Sequence, residues 1–234
     1  MSNSMDVVAQ LKPFFEPESV AVVGANPNAG ELAFNLVENL AQNGYRGKVY
    51  PVNPNYSEIL GQKCYSNLKE IRGDVDLAVI LTARTVVPNI VKQCGEKGIR
   101  AAIVVGQGFA EAEDEEGKRL QQRVVEAARK GGVRVLGPNT FGSANAYINF
   151  STAFHKQTDM RKWPVGVISQ SGLFFGTIGR LRLIGKGIDV GNTCDVDIAD
   201  ALEYFEQDTE VKVIVLHIEG INEGKRFKEV AQRV

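Results

Sequence analysis

The sequence predicts two successive α/β units, a doubly wound Rossmann-like sheet followed by a partial flavodoxin-like one. Three observations carry this. Short runs rich in Val, Ile and Ala alternate with amphipathic stretches over the first 140 residues. The alternation breaks near Ser143 and resumes at Val165. Each unit also opens with a hydrophobic run that ends in a small, polar, glycine-containing turn. The first is Val20-Ala21-Val22-Val23-Gly24-Ala25-Asn26, and the second is Val165-Gly166-Val167-Ile168-Ser169-Gln170-Ser171-Gly172. A strand that enters a helix through such a turn aims backbone N–H groups at an anion. Two in tandem point to a nucleotide-like ligand and a separate phosphoryl group.

In chain order, the expected strands of the first unit are Val20–Gly24, Gly47–Val52, Val75–Leu81, Ala101–Val105 and Val133–Leu136. Their near-continuous apolar character suits a parallel sheet buried on both faces. Helices are expected at Glu31–Asn43 (Leu32, Leu36 and Leu40 on one face), Thr85–Lys97 (Val86, Ile90, Val91) and Glu115–Lys130 (Leu120, Val124, Ala128). Gly44, Gly98 and Gly131-Gly132 follow them as C-caps. Residues 143–163 mix polar and aromatic side chains without a period and read as a linker. Strands then follow at Val165–Ser169, Gly187–Val190 and Val211–Ile218, with helices at Leu173–Ile184, Asp197–Phe205 and Lys225–Val234. The expected organisation is a first domain over 10–142, a linker over 143–163 and a second domain over 164–234. Three strands fall short of the about five that a doubly wound sheet usually has, so the second domain reads as incomplete.

The 234 residues carry a net charge of −1, which argues against a nucleic-acid surface. Cys64, Cys94 and Cys194 are far apart and odd in number, without metal-ligand spacing or a disulfide framework, and they fit a reducing, cytoplasmic setting. No apolar run is long enough to span a bilayer, so no membrane partner is expected. The opening Met1-Ser2-Asn3-Ser4-Met5 is given no functional weight.

The first turn does not read as an NAD site. Only Gly24 and Gly30 are present of the three-glycine dinucleotide fingerprint. The second strand ends in Pro51-Val52-Asn53-Pro54-Asn55, with no carboxylate for ribose hydroxyls. That absence suits a phosphorylated ribose, and coenzyme A is a ligand with a 3′-phosphate. Gly24 and Gly30 fit a plain tight turn equally well. The other strand ends, Leu81-Thr82-Ala83-Arg84, Val105-Gly106-Gln107-Gly108-Phe109 and Gly137-Pro138-Asn139, would line the same crevice. Arg84 could pair a phosphate there or stand solvated near a helix start.

Several ordered motifs carry a resemblance. Val23-Gly24-Ala25-Asn26, Tyr50-Pro51-Val52-Asn53-Pro54, Val75-Asp76-Leu77-Ala78-Val79 and Gly137-Pro138-Asn139-Thr140 resemble the CoA-binding domain of the NDP-forming acyl-CoA synthetases. Ile168-Ser169-Gln170-Ser171-Gly172, the run from Gly191 to Asp197, and Ile218-Glu219-Gly220 resemble the succinyl-CoA-ligase-like domain of the same enzymes. The likeness covers nearly the whole chain after about residue 10. It implies that acyl-CoA, ADP and phosphate are interconverted with free acid, ATP and CoA, through an acyl phosphate and a phosphohistidine. It implies CoA at Gly24, Ala25, Asn26, Asn53, Pro54, Thr82, Ala83, Arg84, Gln107, Gly108, Phe109 and Asn139. Phosphate falls to Ser169, Ser171 and Gly172, with Glu219 orienting the phosphorylated histidine and no metal site in this chain.

ADP or ATP with Mg would bind an ATP-grasp domain or subunit, and an oligomer is expected. For Ser171 a simple N-cap is the parallel reading. Glu219 would end a buried strand, where a carboxylate needs a partner; a rim salt bridge is its other reading. Asp195 and Asp197 read as capping residues.

Two departures stand out. Leu173-Phe174-Phe175 replaces the small residues common after the second turn, and neither His155 nor His217 lies in a Gly/Ser-rich loop after Ile218-Glu219-Gly220. His217 reads as a packed strand residue. The expectation is a fragment whose histidine loop lies beyond Val234, inactive alone. Two further readings compete: a CoA-binding regulatory module of a multidomain protein acetyltransferase, and an NAD-binding domain. The acyl group is not legible, and Phe141, Phe174 and Phe175 are candidates for shaping its site.

Overall fold

The computed structural model describes residues 4–28, 35–153 and 159–234. Gly30, the start of the helix expected from Glu31 and Leu32, and His155 lie outside the described residues. The elements are α1 (Ser4–Phe15), β1 (Ser19–Val23), α2 (Leu36–Asn43), β2 (Lys48–Val52), β3 (Glu58–Ile59), β4 (Gln62–Lys63), β5 (Leu77–Ile80), α3 (Val87–Lys97), β6 (Ala101–Val104), α4 (Glu115–Gly131), β7 (Arg134–Leu136), β8 (Gly142–Asn145), β9 (Phe150–Ser151), β10 (Val165–Ser169), α5 (Gly172–Arg180), β11 (Lys186–Asp189), α6 (Ile198–Gln207), β12 (Val213–His217) and α7 (Gly224–Ala231).

The first sheet is wholly parallel in the order β2-β1-β5-β6-β7. β1, β5 and β6 are buried at every residue, as their unbroken apolar sequence requires. The strand order reverses direction between β1 and β5, which opens a crevice at their carboxyl ends. Gly44, Gly98 and Gly132 cap α2, α3 and α4 in the left-handed conformation, while Gly131 is the last residue of α4 itself. A β3–β4 hairpin stands outside the sheet.

The second sheet runs β12-β10-β11-β8-β9. β10, β11 and β12 are parallel, whereas β8 and β9 add antiparallel to one edge. This corrects the linker reading of 143–163, because Gly142–Asn145 and Phe150–Ser151 are sheet strands. With them the second sheet has five strands, not three. β8 has no apolar alternation because side-chain hydrogen bonds bury it. Ser143 Oγ donates to the Phe14 carbonyl at 2.6 Å, and Asn145 Nδ2 donates to the Phe15 carbonyl at 3.0 Å.

Those carbonyls belong to α1, a helix the sequence reading passed over. Val7, Leu11, Phe14 and Phe15 form its buried stripe at helical spacing. They join Val20, Val22, Leu77 and Val79 of the first sheet to Ile168, Ile188, Leu202 and Phe205 of the second unit in one apolar core. Phe15 stacks on Tyr204 with ring centroids 4.1 Å apart. At about 1.5–3 kcal/mol for each large apolar side chain fully buried, this helix is a substantial part of the junction. The opposite face of the first sheet packs α3 and α4 into a separate core.

Charged groups complete the junction. Arg134 of β7 meets Asp195 at 3.1 Å and Asp200 at 2.6 Å, and Arg226 of α7 reaches the same Asp200 at 2.6 Å. Lys186, almost wholly buried, is held by Asp208 and Glu210 at 2.6 Å each and by Glu16 at 3.3 Å. Its desolvation is offset by those carboxylates, whose pull raises its pKa above the usual lysine range. Asp197 caps α6 through a reciprocal pair with Asp200, as expected, while Asp195 serves the junction rather than a helix end.

Candidate functional site

The crevice of the first sheet is built on Gly24. Its φ is +87°, a conformation that favours glycine, and a Cβ there would lie 2.9 Å from Thr82 Cγ2 and 3.1 Å from the Leu81 carbonyl. The ends of β1 and β5 therefore approach as closely as their backbones allow. The Gly24 N–H donates to the Val52 carbonyl at 2.9 Å, which ties the turn to β2 as well.

Amide side chains then fix the turn. Asn26 Oδ1 accepts from the Asn28 N–H at 2.9 Å, and Asn53 Nδ2 donates to the Ala25 carbonyl at 2.7 Å. Asn35, which sequence reading missed, donates from Nδ2 to the carbonyls of Asn26 (2.9 Å) and Asn28 (2.8 Å). The Asn35 oxygen meanwhile caps α2. The signal was an Asn directly before the Leu36–Leu40 stripe, obscured by starting that helix at Glu31. Pro54 and Ala83 are exposed at the rim, and Thr82 Oγ1 is buried with no hydrogen-bond partner among the described residues.

The third and fourth strand ends differ from expectation. Arg84 is partly exposed and already engaged: its guanidinium donates to the Gly108 carbonyl and pairs with Asp114 (3.3 Å) and Glu116 (3.6 Å). The Phe109 side chain is completely buried in the core under α3 and α4, away from the crevice. Gln107 is exposed, and Gly108 has a φ of +93°. The N–H groups of Gly108 and Phe109 both donate to the Glu111 carboxylate. Asn192 of the second unit donates to the same carboxylate. Burial opposes charge on Glu111, but these hydrogen bonds outweigh it and lower its pKa. An internal carboxylate thus occupies donors of the kind that bind external anions.

Asn139, at φ +58°, is exposed and donates its N–H to the Gly106 carbonyl at 2.9 Å. Its neighbours join the two units: the Asn192 and Cys194 N–H groups donate to the Pro138 and Gly137 carbonyls. Phe141 lies against Gly172, whose Cβ would fall 2.9 Å from the ring.

The second turn leaves β10 at Ser169 and enters α5 at Gly172. Ser169 is fully buried, and its hydroxyl folds back on the turn, accepting from the Ser171 N–H and donating to the Ser171 carbonyl at 2.9 Å each. Ser171 is the N-cap of α5, with Oγ 3.4 Å from the Phe174 N–H. The helix thus presents its first N–H groups, which have no partner within the helix, at the carboxyl edge of the sheet.

Glu219 needs a correction. It is exposed, because β12 is a half-exposed edge strand, so the burial cost invoked for it does not arise. Gln170 Oε1 holds its segment by accepting from the N–H groups of Glu219 (2.7 Å) and Gly220 (2.9 Å). His217 is indeed a packed strand residue: its ring stacks on Phe174 at 4.7 Å and its Nδ1 is buried without a partner.

Asp189, at the end of β11, was also missed. It is the register partner of Ser169, fully buried, and accepts from the Phe141 N–H at 2.7 Å. Its signal was a carboxylate inside the apolar run Gly187–Val190.

Comparison with known proteins identifies both units. Residues 18–146 match the CoA binding domain family, and residues 162–234 match the succinyl-CoA ligase like flavodoxin domain family. The chain is 40% identical to an ADP-forming acetate–CoA ligase II of Archaeoglobus fulgidus, over 96% of this chain and 34% of that protein. It is 40% identical to the alpha subunit of an ADP-forming acetate–CoA ligase I of Pyrococcus furiosus, over 96% of this chain and 50% of that subunit. A solved acetyl-coenzyme A synthetase 1 of Ca. Korarchaeum cryptofilum, in complex with phosphate and ADP, superposes with a TM-score of 0.86 at 34% identity, covering 95% of this chain and 49% of that one. The chain thus spans between a third and a half of the length of these relatives.

Proposed function

The chain belongs to the NDP-forming acyl-CoA synthetase family, in which a CoA-binding domain is joined to a succinyl-CoA-ligase-like domain, and from that premise we propose that it holds coenzyme A and phosphate side by side for an ADP-forming acyl-CoA ligase. The reaction would convert acyl-CoA, ADP and phosphate into free acid, ATP and CoA. Phosphate at the second turn attacks the thioester carbonyl, the C–S bond breaks, and CoA leaves as an acyl phosphate forms. A histidine outside these 234 residues then takes the phosphoryl group and carries it to ADP, with Mg, on an ATP-grasp domain or partner subunit.

The observation that carries the first half is Asn53. The end of β2 presents an amide, which donates to the Ala25 carbonyl, at the position where NAD sites place a carboxylate. A carboxylate there would pair with ribose hydroxyls and repel a ribose phosphate. In this reading the Gly24–Asn26 turn takes the pyrophosphate, Asn53 and Pro54 flank the phosphorylated ribose, and Thr82, Ala83, Gln107, Gly108 and Asn139 line the remainder. Arg84 acts by holding the Gly108 segment rather than by pairing a phosphate, and Phe109 acts through packing.

For the second half, the α5 N-terminus with Ser169, Ser171 and Gly172 is suited to a phosphoryl dianion. Glu219, exposed beside that turn, suits an orienting role toward a histidine brought in from elsewhere.

Calorimetric titration with CoA, dephospho-CoA and NAD in parallel tests the reading. CoA should bind, dephospho-CoA about tenfold more weakly, and NAD not at all. Binding of NAD without CoA would overturn it.

A further inference from the structure

We infer that Asp189 makes anion binding at the Ser169–Gly172 turn conditional on the uptake of one proton, while positioning the Asn139–Phe141 segment beside that turn; the inference rests on the phosphate role proposed for the turn. Three observations converge. Asp189 and Ser169 are register partners on adjacent parallel strands, so their side chains leave the sheet on the same side, about 4.8 Å apart at the backbone. Asp189 Oδ2 holds the Phe141 N–H at 2.7 Å, and the Phe141 ring lies against Gly172, the first residue of α5. Asp189 Oδ1 is buried and has no hydrogen-bond partner among the described residues.

A buried carboxylate oxygen without a donor favours the protonated acid. Burial is the largest influence and lifts this group to about 6; the hydrogen bonds of Phe141, Thr140 and Gly191 oppose it, and the charge of Glu219 adds to it. The other elements around Asp189 bring little charge. β10 presents Ser169 and β8 presents Gly142 as register partners, and residues 137–141 are uncharged. β12 brings His217, stacked on Phe174, and leads to Glu219. On the loop that follows, Asp195 is paired with Arg134 and Asp197 caps α6 and meets Arg226. Arg180 stands at the far end of α5.

Near neutral pH the ionised Asp189 therefore confronts an incoming anion one strand away, and a proton on Oδ1 removes that opposition. The proton comes from solvent and returns to it when the anion leaves. Phosphate would arrive with one proton taken up, and its release would free that proton.

Sulfate is the probe, because it stays a dianion from pH 5 to 8 and only the protein titrates. Sulfate is titrated calorimetrically into the 234-residue chain at pH 5.5, 6.5 and 7.5, each in two buffers of different ionisation heat. The expected result is binding about 25-fold weaker at pH 7.5 than at 5.5, with close to one proton taken up per sulfate at pH 7.5. D189N should bind with little pH dependence and no proton uptake. H217F, which keeps an aromatic ring against Phe174, should retain the wild-type slope. A slope that persists in D189N, a slope lost in H217F, or wild-type binding without proton uptake would overturn the inference and leave the phosphate reading standing. No sulfate or phosphate binding at any pH would overturn the phosphate reading itself. The buffer comparison needs only the wild-type chain, so proton uptake is measured even if D189N does not fold.

Discussion

The two strand-end turns share a backbone plan and differ in what secures them. At Gly24 the turn is pinned by neutral amides, with Asn26, Asn35 and Asn53 each engaged in hydrogen bonds to nearby backbone. At Ser169 the turn is secured by its own hydroxyls, and two unsatisfied buried atoms lie on the neighbouring strands, Asp189 Oδ1 and His217 Nδ1. The first crevice is therefore preorganised by groups that do not titrate in the physiological range. The second has one that does, Asp189, whose carboxyl burial lifts to about 6. A nucleotide-like ligand would meet a rigid, pH-insensitive wall, and a phosphoryl group a wall whose charge can change.

The largest effect should come from forcing a side chain into the rigid turn. Gly24→Val places Cβ against Thr82 and the Leu81 backbone at positive φ; we expect a loss of about 3–4 kcal/mol in urea unfolding, together with the CoA heat. Gly172→Ala, the counterpart, meets only the Phe141 ring. It should cost about 1 kcal/mol, and near-equal costs would erase the distinction between the turns.

Next comes pH. The folded-state value of Asp189, about 6, lies above its ordinary 3.8, so between those values the folded chain keeps a proton that the unfolded chain has lost. This group's contribution to stability is fully present below about pH 4, falls as pH rises to about 6, and is level above. The drop should be about 2–3 kcal/mol and should vanish in Asp189→Asn, as measured by urea unfolding of both proteins across pH 4–7.

Asn53→Asp puts a carboxylate into the amide-pinned crevice. It should weaken CoA about tenfold, with a smaller loss for dephospho-CoA. The smallest effect is Ser171→Ala, which removes the α5 cap for about 1 kcal/mol and should lower phosphate affinity without changing CoA binding.

Strands β1, β5 and β6 were legible because both faces are buried, which writes a continuous apolar run into the sequence, and the edge strands β2 and β7 followed from the alternation with helices. β8 was not, since only Ala144 of Gly142-Ser143-Ala144-Asn145 joins an apolar cluster, while Ser143 and Asn145 are buried by hydrogen bonding to α1. Gly24, Asn53 and Ser171 stand where the sequence places them, in the turns at the carboxyl ends of β1, β2 and β10. Arg84 and Phe109 were read by the same rule and proved to be engaged elsewhere, because position at a strand end does not tell which way a long side chain turns. Glu111 and Asp189 were hidden for a related reason. Each is a single carboxylate with a partner from a distant segment, Asn192 for one and Phe141 for the other.

The placement of α1 limits how the molecule can move. Its last carbonyls receive Ser143 and Asn145, Glu16 just beyond it pairs with Lys186, and its apolar stripe is shared by both sheets. Swinging the two units apart would expose that stripe and strip Lys186 of a counter-charge, so hinge opening carries a cost in both apolar burial and charge pairing. A thioester long enough to touch both turns has to thread between them. The Gly137–Phe141 segment, which joins the two units beside both turns, would bound that path.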